Sequence, residues 1–411
     1  MSIPIAEKRI SEFEKMGFGM FIHWGLYSQL GQGEWIMHLK NIPKTEYSKL
    51  KETFTAKDFD AEKIAFTAQK AGMRYITLTT RHHEGFSLYN TCGLSTYDVI
   101  HSPAGRDIVS EYVTACKNYN IMPMLYHTTL DWYDDRFEHD FDAYLQYLRD
   151  SVEILCTNYG EIGGFWFDGN WSKPNADWQE DKLYSMIRRL QPNAMIINNT
   201  GITARGEIGN PYIDSVTFEQ GHPKPMDREG MKKYVAAEMC QTINDHWGFG
   251  KEDFDSKSVP ELIESLCSCR KIGANYLLNI GLEPDGKIIK LQEATLEEIG
   301  KWIKISGDSV YLGKPTHIKG EDKDFALEYN GNIYFYIHDL AVEAKEQVVM
   351  GRKTRNGIRK FSGNIAKIKN IRWIDNDEPL SFSQNTSETE INCTGYPYGK
   401  SLVVRIAKAE F

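Results

Sequence analysis

The sequence lacks a long apolar run. Nowhere do about 18 apolar residues follow one another, so no membrane-spanning helix can be read from it. The opening stretch MSIPIAEKRISEFEKMGFG has neither an apolar signal core nor a small-residue cleavage site, and a cytoplasmic location is the expectation that follows. Blocks of lysine or arginine are also missing. With 48 basic against 57 acidic side chains, a formal balance of −9, the chain carries no electrostatic footprint for nucleic acid or anionic lipid, and neither is expected as a partner. Cysteine is sparse: seven residues, an odd number without regular spacing, exclude a disulfide framework, and Cys267 and Cys269 stand too close for a zinc-type Cys-x-x-Cys. Internal repeats and low-complexity tracts are absent too.

What is present is 41% hydrophobic and 12% aromatic residues in 411, enough for a large core. From Phe18 to about Ile280, eight short apolar runs alternate with amphipathic stretches: FGMFIHWG, RYITLTTRHH, IMPMLYHTTLDW, GGFWFDG, AMIINNTG, SVTFEQ, EMCQTIND and ANYLLNIG. Apolar positions at helical spacing, as in Phe141, Tyr144, Leu145, Leu148, Val152 and Leu155, mark crossover helices between them. Another helix is expected to open at Ser258, with Glu261 completing a capping box, and to stop at Gly273. This alternation predicts an α/β fold, a (β/α)₈-like barrel over residues 1–310. After the helix of Leu296 to Ile305 the pattern changes. Asn330-Gly331 between alternating runs predicts a type I′ hairpin, NIAKIKNIRWI and SLVVRIAKAEF read as strands, and residues 311–411 are expected to form a small antiparallel β-sandwich.

In such barrels chemistry sits where strands end. The apolar runs end in His23, His82 with His83, Tyr126 with His127, Asp168, Asn198 with Asn199, Glu219 and Asn279. Burying several such groups without partners costs roughly 1 to 3 kcal/mol each, so a ligand rich in hydroxyls is the expected partner. Asp168 closes Phe165-Trp166-Phe167 ahead of Gly169 and is the strongest site; an Asp that only caps a turn is the plain alternative. A retaining glycosidase needs a second carboxyl about 5 to 5.5 Å from the first. Glu219, at a strand end, is favoured over Glu238, which lies near a strand beginning where barrel residues serve stability. Sugar recognition also needs aromatic platforms and a few fixed donors and acceptors; Trp35 in GQGEWIMH and Trp247 are candidates for the first and Glu34 for the second. His82 and His83, adjacent on a strand, are expected to point to opposite faces, and no metal-ligand spacing appears, so neither metal nor cofactor is expected.

Seven ordered motifs, FGMFIHWG, GEW, RHHEGF, LYHTTLDW, FWFDG, TINDHWGF and NYLLNIGLEPDG, closely resemble the α-L-fucosidases of glycoside hydrolase family 29, over about residues 10 to 312. The resemblance implies a catalytic barrel with a β-rich appendage and release of terminal α-L-fucose from fucosylated glycans with net retention. It implies Asp168 as nucleophile, and His23, Glu34, Trp35, His82, His83 and Tyr126 as the residues that hold the sugar. Two features depart from the family or stay open. Where members often carry Asn-Asp-Arg-Trp, this chain reads Asn198-Asn199-Thr200-Gly201, with Arg205 as a candidate replacement for the arginine. The acid/base is poorly fixed by sequence, since the surroundings of Glu219 and of Glu238 each resemble a family glutamate motif. Assembly of identical copies is left open.

Overall fold

In the computed structural model, which describes residues 2–344 and 356–411, all eight apolar runs are strands. They are β1 (Phe18–His23), β2 (Tyr75–Arg81), β3 (Met122–Thr128), β4 (Gly164–Asp168), β5 (Met195–Asn198), β6 (Ser215–Glu219), β7 (Ala236–Thr242) and β8 (Asn275–Gly281). Neighbours pair in parallel in sequence order, and β1 also pairs with β8, from Phe18 opposite Tyr276 to His23 opposite Gly281, closing the barrel. Parallel strands buried on both faces have no room for alternation, which is why they read as near-continuous apolar runs. Inside the barrel Phe21, Tyr75, Met124, Tyr126, Trp166, Ile197, Cys240 and Leu277 form one packed cluster.

Helices Ala61–Lys70, Ile108–Asn118, Phe141–Asn158 and Glu180–Leu190 follow β1 to β4, each burying one apolar face, although Phe66 on the first is exposed. The barrel is irregular after that. Among the described residues no α-helix joins β5 to β6 or β6 to β7, where a 3₁₀ turn at Ile202–Ala204, turns and irregular chain occur instead. Those connections carry GEIGNPY and GHPKP, too rich in glycine and proline to propagate a helix.

The chain divides into two compact units, Met1–Lys257 with Asn275–Glu297, and Ser258–Ala274 with Glu298–Phe411. The second contains the helix Val259–Lys271, capped as expected: Ser258 accepts from the Glu261 amide while the Glu261 carboxylate accepts from the Ser258 amide. Its described residues also form eight antiparallel strands, β9 (Lys314–Gly320), β10 (Phe325–Tyr329), β11 (Asn332–Ile337), β12 (Gly357–Ser362), β13 (Asn370–Trp373), β14 (Phe382–Gln384), β15 (Glu388–Cys393) and β16 (Arg405–Glu410). The hairpin joining β10 to β11 turns at Asn330 (φ 51°) and Gly331 (φ 74°), the left-handed pair a type I′ turn requires. The sheet is continuous, in the order β13-β16-β11-β10-β9-β12-β15-β14. Its two ends nevertheless meet, because Trp373 Nε1 on β13 donates to Thr394 Oγ1 beyond β15 at 2.9 Å. The sheet is thus folded over a shared core that includes Phe335, Phe361, Trp373 and Ile391.

Candidate active site

Of the residues singled out from the sequence, His23, Glu34, Trp35, His82, His83, Tyr126, Asp168, Asn199, Glu219 and Trp247 line one cavity of about 570 Å³ at the C-terminal end of the barrel strands, whereas the strand-end residues His127, Asn198 and Asn279 do not line it. Its floor is aromatic. Phe21, Tyr126 and Trp166 are fully buried, and the rings of Tyr126 and Trp166, neighbours across β3 and β4, stack at 5.8 Å.

Asp168 ends β4 with both carboxylate oxygens engaged. Oδ1 accepts from Trp171 Nε1 at 2.8 Å and from Asn199 Nδ2 at 3.2 Å; Oδ2 accepts from the Tyr126 hydroxyl at 3.1 Å and faces His83 Nε2 at 3.4 Å. Burial works to raise the Asp168 pKa, but the hydrogen bond and charge of His83, with the N–H groups of Trp171 and Asn199, outweigh it and hold the carboxyl below its ordinary range. Trp171 can reach back because Gly169 turns the chain at φ 122°, where a Cβ would lie 2.5 Å from the Leu130 amide nitrogen.

Glu219 ends β6, and its environment has the opposite effect. Burial first, and the nearby Asp168 charge second, raise its pKa to about 7. Its Oε2 accepts from Asn199 Nδ2 at 2.9 Å, so one amide nitrogen touches both carboxyls. Those two oxygens are therefore no farther apart than two hydrogen bonds laid end to end, roughly 6 Å at most, so the two carboxyls face the same space.

Glu238 lies elsewhere. It points into the barrel core beneath the cavity, fully buried, accepting from Tyr75 Oη at 2.5 Å and Trp166 Nε1 at 2.9 Å, and lines no part of the cavity. Burial raises its pKa to about 7, as for Glu219, so titration alone would not separate them; position does. Arg205 does not line the cavity either. Its Nε donates to the backbone carbonyl of Glu219 at 2.5 Å, tying down the end of β6.

The remaining residues supply polar and stacking contacts. Asn279 donates from Nδ2 to the Trp247 carbonyl and so turns Oδ1 toward His23 Nδ1, 2.7 Å away. The proton of a neutral His23 then sits on Nδ1, leaving Nε2 as an acceptor, and burial lowers the pKa to about 3, keeping the ring neutral. Glu34 Oε2 accepts from the Gly248 amide at 2.8 Å, and burial raises its pKa. Trp35 stacks on Trp171, ring centres 5.9 Å apart, and Trp247 lies 5.1 Å from His23. His82 and His83 do not diverge as strand alternation predicts. Strand β2 shifts register between Thr79 and Arg81 and ends at Arg81, so both rings face the cavity with centres 4.2 Å apart. His82 Nδ1 is buried without a hydrogen-bond partner. Among the described residues no group of three or more His, Cys, Asp or Glu is gathered as a metal ion would need.

Sequence reasoning missed Trp171, a 37% exposed indole on the turn after β4, and the pairing role of Asn199. The first had a signal in its position three residues beyond Asp168; the second required knowing that β4 and β6 flank β5.

The chain matches the α-L-fucosidase family profile over residues 5–308. It is 28% identical to the human tissue α-L-fucosidase over 345 residues, 77% of this chain and 72% of that one, and 25% identical to the Dictyostelium discoideum α-L-fucosidase over 369 residues, 80% and 77%. Among solved structures, α-L-fucosidase isoenzyme 1 from Paenibacillus thiaminolyticus superposes with a TM-score of 0.84 at 28% identity, covering 98% of each chain. The chain belongs to the α-L-fucosidase family of glycoside hydrolases.

Proposed function

We propose that this enzyme removes terminal α-L-fucose from glycans or glycoconjugates by double displacement, with Asp168 as nucleophile and Glu219 as acid/base. The observation that carries the reading is the carboxyl pair held by Asn199: two acids within roughly 6 Å, one below and one above its ordinary pKa. Asp168 attacks C1 of the sugar as the C1–O bond breaks and Glu219 delivers its proton to the departing oxygen. The resulting glycosyl ester is then hydrolysed by a water whose proton returns to Glu219. Proton transfer of this kind typically contributes roughly 10² to 10⁴ in rate.

Substrate binding follows the same geometry. A cavity closed by the Phe21, Tyr126 and Trp166 floor accommodates a chain-terminal sugar rather than the middle of a polysaccharide. His23 Nε2, His82, His83 and Glu34 hold the hydroxyls, and Trp35 and Trp247 provide apolar surface for the ring and the C5 methyl group. No cofactor enters the scheme. The test is hydrolysis of 4-nitrophenyl α-L-fucoside followed by ¹H NMR. Fucose that appears first as the α-anomer, at a rate unaffected by EDTA, supports the reading, whereas β-fucose first, or turnover only of another glycoside in a nitrophenyl panel, refutes it.

A further inference from the structure

Asn199 has its side chain spent entirely inside the site. Its backbone N–H donates to the Phe167 carbonyl at 2.8 Å, extending the β4–β5 ladder one residue past β5, and the residue is only 4% exposed. The orientation of the amide is not free. Oδ1 accepts from Thr217 Oγ1 at 3.0 Å and from the Gly201 amide at 3.1 Å, so Nδ2 must face the other way, where Asp168 Oδ1 and Glu219 Oε2 accept its two hydrogens. Among the described residues no other one donates hydrogen bonds to both carboxyls.

We propose that Asn199 is a positioning residue that clamps Asp168 and Glu219 and confines the proton of Glu219 to Oε1. An N–H group is accepted far better by the carbonyl oxygen of a carboxylic acid than by its hydroxyl, so the bond at Oε2 leaves Oε1 as the oxygen that carries the proton. When Oε1 passes that proton to the departing sugar oxygen, Glu219 becomes a carboxylate. The Asn199 bond is then charge-assisted and strengthens as the reaction proceeds. A neutral donor suits this position because a cation would ionise Glu219 in the resting enzyme. The catalytic consequence rests on the fucosidase reading; the clamp itself does not.

Other charged and titratable groups face the pair. Glu219 is faced by Asp168 on β4, Arg205 and Glu34 on loops, Tyr126 on β3 and Cys240 on β7. Asp168 is faced by His83, His23 and the same tyrosine and cysteine. The clamp acts on top of these, since its N–H groups favour the ionised form of both acids.

The experiment is a ¹³C NMR titration of side-chain carboxyls in the full chain, with Asp168 and Glu219 assigned by the resonances lost in Asp168→Asn and Glu219→Gln. In Asn199→Ala both groups are expected to titrate at higher pH than in the unmodified enzyme, and both limbs of the kcat/KM profile to move up with them. Thr217→Val, which removes the hydroxyl that orients the amide, is expected to move them in the same direction by less. On a fucosyl disaccharide the loss in kcat for Asn199→Ala is expected to be roughly 10 to 100-fold, the size of one lost hydrogen bond to a charged group, and to exceed the loss on an aryl fucoside. Titrations that stay put in Asn199→Ala overturn the proposal, whatever happens to activity or Tm. The NMR measurement uses no substrate, so an enzyme inactive on fucosides would sink the fucosidase reading and leave the clamp to be judged by its titration.

Discussion

Asp214 and Glu219 stand at opposite ends of the same strand, and their surroundings are opposed in the same way. Asp214, just before β6 at the bottom of the barrel, has no side-chain exposure and is met by Arg9 at 2.9 Å, Arg188 at 2.7 Å and Lys233 at 2.7 Å. Burial works to raise its pKa, but these three cations lower it. Glu219, at the top, has a neutral amide bonded to its carboxyl and another carboxyl nearby, while its cationic neighbour, Arg205, donates to its backbone carbonyl; burial and the Asp168 charge raise its pKa to about 7. The lower carboxylate ties the N-terminal segment, the helix Glu180–Leu190 and the segment before β7 to the barrel, whereas the upper acid is the proposed proton donor. A buried acid matched by opposite charge holds a fold together; one matched by a like charge and a shared donor is kept for chemistry.

The largest effect that bears on this contrast lies at the upper end. Asp168→Gly is expected to lower kcat on the order of 10⁴-fold or more while far-UV circular dichroism stays unchanged, with azide partly restoring turnover as β-fucosyl azide. Glu219→Ala is expected to lose roughly 10² to 10⁴-fold on a natural fucoside and much less on an aryl fucoside, whose leaving group needs little protonation. If Glu238→Ala gave that leaving-group pattern instead, the two glutamates would have to exchange roles.

At the lower end the effect is on stability. Asp214→Asn removes the buried charge that Arg9, Arg188 and Lys233 share and is expected to cost about 3 to 5 kcal/mol in urea unfolding, with kcat of the folded enzyme unchanged. Glu219→Gln is expected to do the reverse. A carboxyl whose folded pKa of about 7 lies above its unfolded value opposes folding progressively as pH rises between the two, so at pH 8 the neutral amide is expected to stabilise the fold by about 2 to 3 kcal/mol while removing acid catalysis. Destabilisation by Glu219→Gln at that pH would erase the contrast. The smallest effect is in the pH profile: kcat/KM is expected to rise through an acid limb below the ordinary aspartate range, as Asp168 ionises, and to fall near pH 7 as Glu219 loses its proton.

Much of this was legible in the sequence because a buried parallel strand must end abruptly. Phe165-Trp166-Phe167 followed by Asp168, and Val216-Thr217-Phe218 followed by Glu219, mark both the strand and the residue it delivers. Sequence favoured Glu219 over Glu238, since the latter begins rather than ends an apolar run, but motif resemblance left the choice open; it could not reveal that Glu238 supports Trp166 from below, which is a contact across the barrel. The paired histidines were misjudged because strand alternation was applied past Arg81, where the strand has already ended. Strands β9, β12, β14 and β15 carry polar or exposed residues at most positions, so alternation was too faint to mark them. The Asn199 clamp was invisible for a different reason. It depends on strands β4 and β6, which are not neighbours, being bridged by a side chain from the end of β5.

The division of labour between the two acids is tested most directly by trapping. Incubation with 2-deoxy-2-fluoro-fucosyl fluoride slows breakdown of the glycosyl ester, and proteolysis with mass spectrometry then locates it. A fluorofucosyl adduct on the peptide containing Asp168, absent in Asp168→Asn and formed more slowly in Asn199→Ala, is the predicted result. An adduct on Glu219 or Glu238, or inactivation with no covalent adduct at all, would contradict it.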